Sequence, residues 1–183
     1  MSQESGSPVT VSETAESKDF WIAQGLAEGH ESALQAADVL IVPIRVFREG
    51  VPFAFHQDTP ALFKYLTAEL SDLNVEICSG ETDYVEVSLH SKSFRFSGIV
   101  VTYVVAPLLI SLLSSYLYDQ LKAQPKDSVE VSLIIENHEC KTFKFAFKGE
   151  AKDFHLLADQ VGQMARDCEA KGGKKVRSVK RSK

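Results

Sequence analysis

The sequence predicts an α+β fold in which helices pack on one face of a mixed, mostly antiparallel sheet. Several short segments alternate apolar and polar residues and follow one another closely, which indicates strands joined by short connections. Other segments repeat apolar residues every three or four positions, the pattern of a helix that buries one side. Strands and helices of this kind are expected to form two layers around one core.

The N-terminal region is poor in apolar residues. Residues 1–19 are rich in Ser, Thr and Glu, so we predict an acidic, disordered N-terminus. A helix is predicted over residues 20–37, although two glycines within it weaken the pattern. The folded domain is expected to span residues 20–170 and to be followed by a basic, disordered tail at 171–183.

The next part of the chain predicts strands and a helix. A strand is expected at 38–47 and, after a turn, a second one at 51–55. Thr59 and Pro60 then indicate the start of a helix, since Thr is a capping residue and Pro suits the first helical position. Two shorter strands are predicted at residues 75–77 and 85–89.

The C-terminal third gives the clearest pattern. A strand is predicted at 129–135, and a second strand follows with Phe143, Phe145 and Phe147 on one face. We interpret the two as an antiparallel hairpin with an aromatic inner face, covered by a closing helix. The apolar residues that repeat at helical spacing in that helix are Phe154, Leu157, Val161, Met164 and Cys168.

Residues 98–118 form an apolar segment of 21 residues without a charge. A continuous helix of this length would be about 30 Å long, which matches the hydrocarbon core of a bilayer. Pro107 interrupts the segment, and the residues before it are β-branched or aromatic. We therefore prefer a strand or irregular approach to Ala106 and a buried helix from Pro107 to about Leu121, and keep a membrane span as the alternative.

The second half of this segment carries a polar stripe. Ser111, Ser114, Ser115 and Tyr118 are spaced i, i+3, i+4 and i+7, so they share one side of a helix. This side is expected to face the sheet or a partner. The four residues are our candidate site for binding a protein partner or a second copy of the chain.

The charges are unevenly distributed. The net charge is −5, yet residues 171–183 hold seven basic residues and no acidic one, which leaves 13 basic against 25 acidic residues elsewhere. An acidic body of this kind binds nucleic acid poorly. Any weak contact with nucleic acid or an anionic membrane surface is therefore assigned to the tail. The candidate residues there are Lys174, Lys175, Arg177, Lys180 and Arg181.

Three cysteines lie far apart in the sequence. Cys78, Cys140 and Cys168 form no CxxC pair and are odd in number, so neither a disulfide framework nor a zinc site is expected. The N-terminus lacks the basic start and apolar stretch of a signal peptide. We predict a cytoplasmic protein, with no metal and no cofactor, and membrane association as the alternative location.

Catalytic motifs are weak in this sequence. His56 and Asp58 form a candidate general-base pair, Asp38 is a single carboxylate at a strand start, and His138 with Cys140 offers only two metal ligands. His90 and His155 are expected on the surface. The chain has no glycine-rich phosphate loop and no GxSxG elbow. These observations favour a non-enzymatic protein over a small hydrolase or nuclease.

Residues 98–164 resemble the effector-associated constant-component domains of bacterial conflict systems. The resemblance lies in the apolar helix at 106–113, the turn at 118–122, a hairpin and a short closing helix. This chain has a longer N-terminal half and lacks the Arg-rich run after the helix. The resemblance implies an adaptor that couples to a partner effector in defence. We therefore expect a non-enzymatic adaptor of a bacterial multi-protein system.

Overall fold

The computed structural model describes residues 6–48, 50–80, 84–87, 93–137 and 141–170. The strands are β1 (Val9–Glu13), β2 (Val39–Val42), β3 (Ile44–Arg48), β4 (Val51–His56), β5 (Val75–Ile77), β6 (Glu86–Val87), β7 (Ser93–Arg95), β8 (Gly98–Thr102), β9 (Ser128–Glu136) and β10 (Phe143–Glu150). The helices are α1 (Lys18–Ile22), α2 (Glu31–Ala36), α3 (Thr59–Glu69), α4 (Ala106–Ser115) and α5 (His155–Ala170). A π-helical turn (Tyr116–Gln120) follows α4, and a 3₁₀ turn (Ala151–Asp153) precedes α5.

The main sheet is mixed, and most of its paired residues belong to antiparallel strand pairs. Its strand order is β1-β10-β9-β8-β2-β5, and β7 pairs with the first residues of β9. The pairs β1/β10, β10/β9 and β2/β8 are antiparallel, whereas β8/β9, β7/β9 and β2/β5 are parallel. A small second sheet contains β3, β4 and β6. The predicted α+β class is confirmed, and so is the hairpin of β9 and β10.

The three longest helices pack on one face of the main sheet, as predicted. Buried residues of α3, α4 and α5 form one core with the inward side chains of β9 and β10. Phe147 and Phe154 meet edge to face with their ring centroids 5.2 Å apart. Aromatic pairs favour this geometry, so the start of α5 is fixed on the hairpin.

The other face of the sheet is partly covered by α1 and α2, which the sequence prediction did not place there. Trp21 of α1 and Leu34 of α2 pack with Leu40, Val100 and Ile134 of the sheet. The single helix predicted at 20–37 is wrong. The two glycines between α1 and α2 have positive φ, a conformation that ends a helix, and they divide the segment.

The apolar segment at 98–118 is divided in the structure. Residues 98–102 form β8, a turn follows, and α4 begins at Ala106 with Pro107 in its first turn. The predicted strand followed by a buried helix is confirmed. At 1.5 Å per residue, the ten residues of α4 cover about 15 Å, half the thickness of a bilayer core. None of the helices in the described part of the chain is long and apolar enough to cross a membrane.

The prediction of a disordered N-terminus at 1–19 is wrong for residues 9–13. These residues form β1, which pairs along its whole length with β10, from Val9 opposite Phe147 to Glu13 opposite Phe143. Val9 is buried and belongs to the main core. The folded part therefore begins before residue 20, because β10 offers an unpaired edge that a short polar strand can complete.

Candidate interaction surface on helix α4

Helix α4 has one buried and one exposed side. Its buried side carries Ala106, Leu109, Ile110 and Leu113, which are part of the main core. On the opposite side, Val104, just before the helix, is 48% exposed, and Leu108 is 39% exposed. Exposing large apolar side chains to water is unfavourable, so Val104 and Leu108, four residues apart, make this side a candidate contact surface.

The structure places the four predicted partner-binding residues on or beside this exposed side. Ser111 and Tyr118 are exposed, and Ser114 and Ser115 are half-buried. Val104, Leu108, Ser111, Ser115 and Tyr118 follow one another at helical spacing around the exposed side. We call these five residues the α4 surface.

Tyr118 also has a structural role that the sequence did not indicate. Its hydroxyl group donates a hydrogen bond to the main-chain carbonyl oxygen of Ala151, at 2.6 Å. Ala151 lies in the 3₁₀ turn before α5, so this bond connects the end of the α4 unit to the start of α5. The π-helical turn that carries Tyr118 ends before Lys122, which has a positive φ of 55°.

The α4 surface is uncharged. The first ionisable carboxylate or cation after residue 98 is Asp119, one residue beyond Tyr118. Depletion of charge is the compositional feature that separates the centre of a protein–protein interface from ordinary surface. The α4 surface differs in this respect from the acidic body around it.

His56, a candidate general base, lies in a buried polar cluster. Its main-chain N–H donates to Ser97 Oγ at 3.0 Å, and Ser97 Oγ is 2.8 Å from Thr59 Oγ1. Burial lowers the pKa of the His56 imidazole, and the positive charge of Arg95 acts in the same direction. Helix α3 begins at Thr59 without a side-chain capping bond, so the predicted cap is wrong: the Thr59 hydroxyl instead pairs with Ser97.

Of the other candidate catalytic residues, Asp58 acts on the His56 imidazole through its charge. The Asp38 carboxylate accepts a hydrogen bond from the main-chain N–H of Asn74 at 2.9 Å, where β2 and β5 begin. His155 is exposed, and its Nδ1 lies 3.0 Å from the carbonyl oxygen of Lys152. In the ranges that the structure describes, no group of three His, Cys, Asp or Glu residues could hold a metal ion.

Several predicted residues lie outside the described part of the chain. The candidate polyanion-binding residues of the tail belong to 171–183, and the loop with the two metal-ligand types is residues 138–140. His90 also falls in an undescribed range. The structure brings the α4 residues together, whereas the predictions for these other residues stay predictions.

A cleft on the second face of the sheet was missed by the sequence analysis. Its volume is about 240 Å³. Glu16, Arg45, Lys144 and Ser132 supply polar atoms, and Trp21 belongs to its apolar wall. These residues come from five separate segments, so no local motif could have revealed them. The remaining lining residues are Val42, Pro43, Ile44, Gly98 and Ile134.

Comparisons with models of protein families, with curated proteins and with solved structures found no match to this chain.

Proposed function

We propose that this protein is a non-enzymatic adaptor that binds a partner protein through the α4 surface. The observation that carries the proposal is the uncharged exposed side of α4, with Val104 and Leu108 in contact with water. A partner that covers this apolar surface removes it from water. This burial favours the complex by a free energy of about 25 cal/mol for each Å² buried.

The surface is preorganised for binding. The buried side of α4 is fixed in the core, and the Tyr118 hydroxyl holds the end of the helical unit on Ala151. A partner therefore loses little free energy to ordering this helix, which is the general advantage of a rigid binding element.

The chemistry of the α4 surface defines the kind of partner. Ser111 and Ser115 are small and one helical turn apart, so they let a partner backbone approach closely between the larger Leu108 and Tyr118. The matching element is an apolar helix face or strand edge without charges. A charged partner surface would lose its hydration here without gaining an opposite charge.

The resemblance of residues 98–164 to effector-associated domains supports the same role. In that reading the partner is an effector of a bacterial defence system, and the complex forms in the cytoplasm. The basic tail adds a weak and nonspecific contact with nucleic acid or an anionic membrane surface. None of these roles requires a reaction on this chain.

Site-specific photo-cross-linking in the native cell is the experiment that tests the proposal. A photoreactive amino acid at Ser111 is expected to cross-link to one defined protein, and the same probe at the exposed Thr67 of α3 is expected not to do so. Cross-linking to a second copy of the chain would show that the α4 surface serves self-association, and would contradict the adaptor proposal. Equal products from both positions would contradict a specific surface.

The identified partner then allows a quantitative test. Leu108→Lys places a charge at the centre of the α4 surface and is expected to weaken the complex by more than about tenfold, because contacts at an interface centre dominate its affinity. Val11→Lys is the matched control, since Val11 is similarly exposed but lies on β1. An unchanged dissociation constant for Leu108→Lys would refute the proposal.

A further inference from the structure

Two cations meet one carboxylate at the cleft on the second face of the sheet. Glu16 Oε2 lies 2.9 Å from Lys144 Nζ, and Glu16 Oε1 lies 4.0 Å from Arg45 Nη2. Each carboxylate oxygen is thus next to a different positive charge. One positive charge remains in excess, although the folded body as a whole is acidic. The cleft contains the Glu16 carboxylate, and its one excess positive charge can pair with the carboxylate of a ligand.

The remainder of the cleft is apolar. Trp21 and Ile134 are buried core residues that form part of its wall. Gly98 and Val42 also line it and are closely packed, since a Cβ atom on Gly98 would lie 2.9 Å from Val42 Cγ2. The volume of about 240 Å³ is smaller than the pockets of about 300–1,000 Å³ that hold drug-sized ligands. A ligand with a compact apolar body therefore fits better than a nucleotide or a long chain.

Two residues of the cleft carry buried polar atoms that lack a partner. Trp21 Nε1 and Ser132 Oγ have no hydrogen-bond partner among the described residues. Both atoms carry a hydrogen that can be donated, and buried donors are normally paired. An anion in the cleft would bring acceptor oxygens to this part of the structure.

From the charges, the apolar wall and the unpaired donors, we propose that the cleft binds a small organic carboxylate. The carboxylate group of the ligand pairs with Lys144 and Arg45, in competition with Glu16, and the apolar body packs beside Trp21. This inference is independent of the adaptor proposal, because it uses the face of the sheet opposite to α4.

Trp21 is the one tryptophan in the sequence, so its fluorescence reports directly on the cleft. We would titrate the full chain with cyclohexanecarboxylate, which does not absorb at the excitation wavelength. A saturable change is expected. Cyclohexylmethanol, which has the same ring without the charge, is expected to bind at least about tenfold more weakly, since the charged hydrogen bonds are lost. Equal binding of the two compounds, or no saturable change with the carboxylate, would overturn the proposal.

Substitutions of Lys144 and of Glu16 are expected to change the affinity for the ligand in opposite directions. Lys144→Gln is expected to weaken cyclohexanecarboxylate binding by about tenfold, because one pairing cation is removed. Glu16→Gln is expected to strengthen it, because the competing carboxylate is removed. Lys148→Gln is the matched control, since Lys148 lies on the same strand and pairs with Glu130 instead. It is expected to leave the affinity unchanged.

Folding of each variant would be checked by its circular dichroism melting curve. Arg45→Gln is a second cation variant, and its exposed side chain makes loss of folding less of a concern. It is also expected to weaken binding. Weaker binding by Glu16→Gln in a folded protein would contradict the competition between Glu16 and the ligand. Unchanged affinity in both cation variants would likewise overturn the assignment.

Discussion

The hydroxyl oxygen of Ser97 lies 2.8 Å from Thr59 Oγ1 and also accepts the main-chain N–H of His56 at 3.0 Å. Ser97 occupies the break between β7 and β8, and Thr59 is the first residue of α3. One buried side chain therefore joins the break between β7 and β8, the end of β4 and the start of α3.

Ser97→Ala tests this connection. The variant removes the acceptor of the His56 N–H and leaves a buried donor unpaired, so we expect a loss of about 1–3 kcal/mol in the free energy of unfolding. Urea denaturation followed by circular dichroism measures the change. Ser111→Ala removes an exposed hydroxyl from α4 and is expected to stay within about 0.5 kcal/mol of the original protein. Equal stability of the two variants would show that the buried hydroxyl contributes nothing.

The His56 imidazole is expected to make stability depend on pH. Burial and the nearby Arg95 lower its pKa from the ordinary value of 6.5, while Glu130 and Asp58 oppose this in part. The unfolded chain therefore takes up the proton first as pH falls. The contribution of His56 is complete above about pH 6.5 and decreases as pH falls from there to the pKa of the folded state.

Denaturation at a series of pH values would measure this contribution. In His56→Gln, the fall in the free energy of unfolding below pH 6.5 is expected to be shallower than in the original protein. His155→Gln removes an exposed imidazole and serves as the matched control. Identical slopes for His56→Gln and the original protein would mean that the buried imidazole has no such linkage.

Tyr118→Phe separates the structural role of this residue from a role in binding. The variant removes only the hydroxyl that donates to Ala151, so we expect a loss of about 0.5–1.5 kcal/mol in the free energy of unfolding. The exposed ring stays, and partner binding through the α4 surface is expected to persist. Tyr65→Phe is a suitable control, because Tyr65 packs its ring against Tyr116, with centroids 4.9 Å apart, and keeps that contact. A larger effect on binding than on stability would reverse this assignment.

Gly98→Ala is expected to destabilise the sheet. The new Cβ atom would lie 2.9 Å from Val42 Cγ2, which forces the Val42 side chain or one of the two strands to move. We expect a cost of about 1–3 kcal/mol by thermal or urea denaturation. Val42→Ala in the same chain removes the colliding methyl group and is expected to recover part of this loss. Additive effects of the two substitutions would argue against a direct collision.

The C-terminal half of the fold could be predicted from the sequence because its strands and helices have strong periodicity. Phe145 and Phe147 are buried on one face of β10, and Val161 is buried under α5. The change from strand to helix near Ala106 could also be predicted, since Pro107 cannot sit in the middle of a regular helix without disrupting it. In each case the local pattern and the final packing agree.

The parts that could not be predicted depend on contacts that are distant in the sequence. β1 has one buried residue, Val9, and its remaining residues are exposed, so the segment buries too little by itself to form a stable strand. Residues 9–13 form a strand because they pair with β10. The cleft could not be predicted from the sequence for the same reason. Glu16 belongs to the segment expected to be disordered, and Lys144 is 128 residues away from it.

The α4 surface was partly predictable. The spacing of Ser111 and Tyr118 placed both on one side of a helix, and in the structure both are exposed rather than packed on the sheet. The sequence did not indicate that Val104 and Leu108 would join them, because apolar residues at such positions are usually assigned to the core. It also could not reveal that the Tyr118 hydroxyl contacts Ala151, which depends on where α5 begins.

The pairing of β1 with β10 has a consequence for synthesis of the protein. A ribosome makes β1 early and β10 near the end of the folded part, so the nascent chain carries β1 without its neighbour for most of translation. Contacts between such distant segments form slowly, because a long loop must close first. We therefore expect the addition of the first strand to be a late step in building this sheet, and β10 has an open edge until β1 pairs with it. That interval is when neighbouring chains on one messenger RNA could exchange β1 strands.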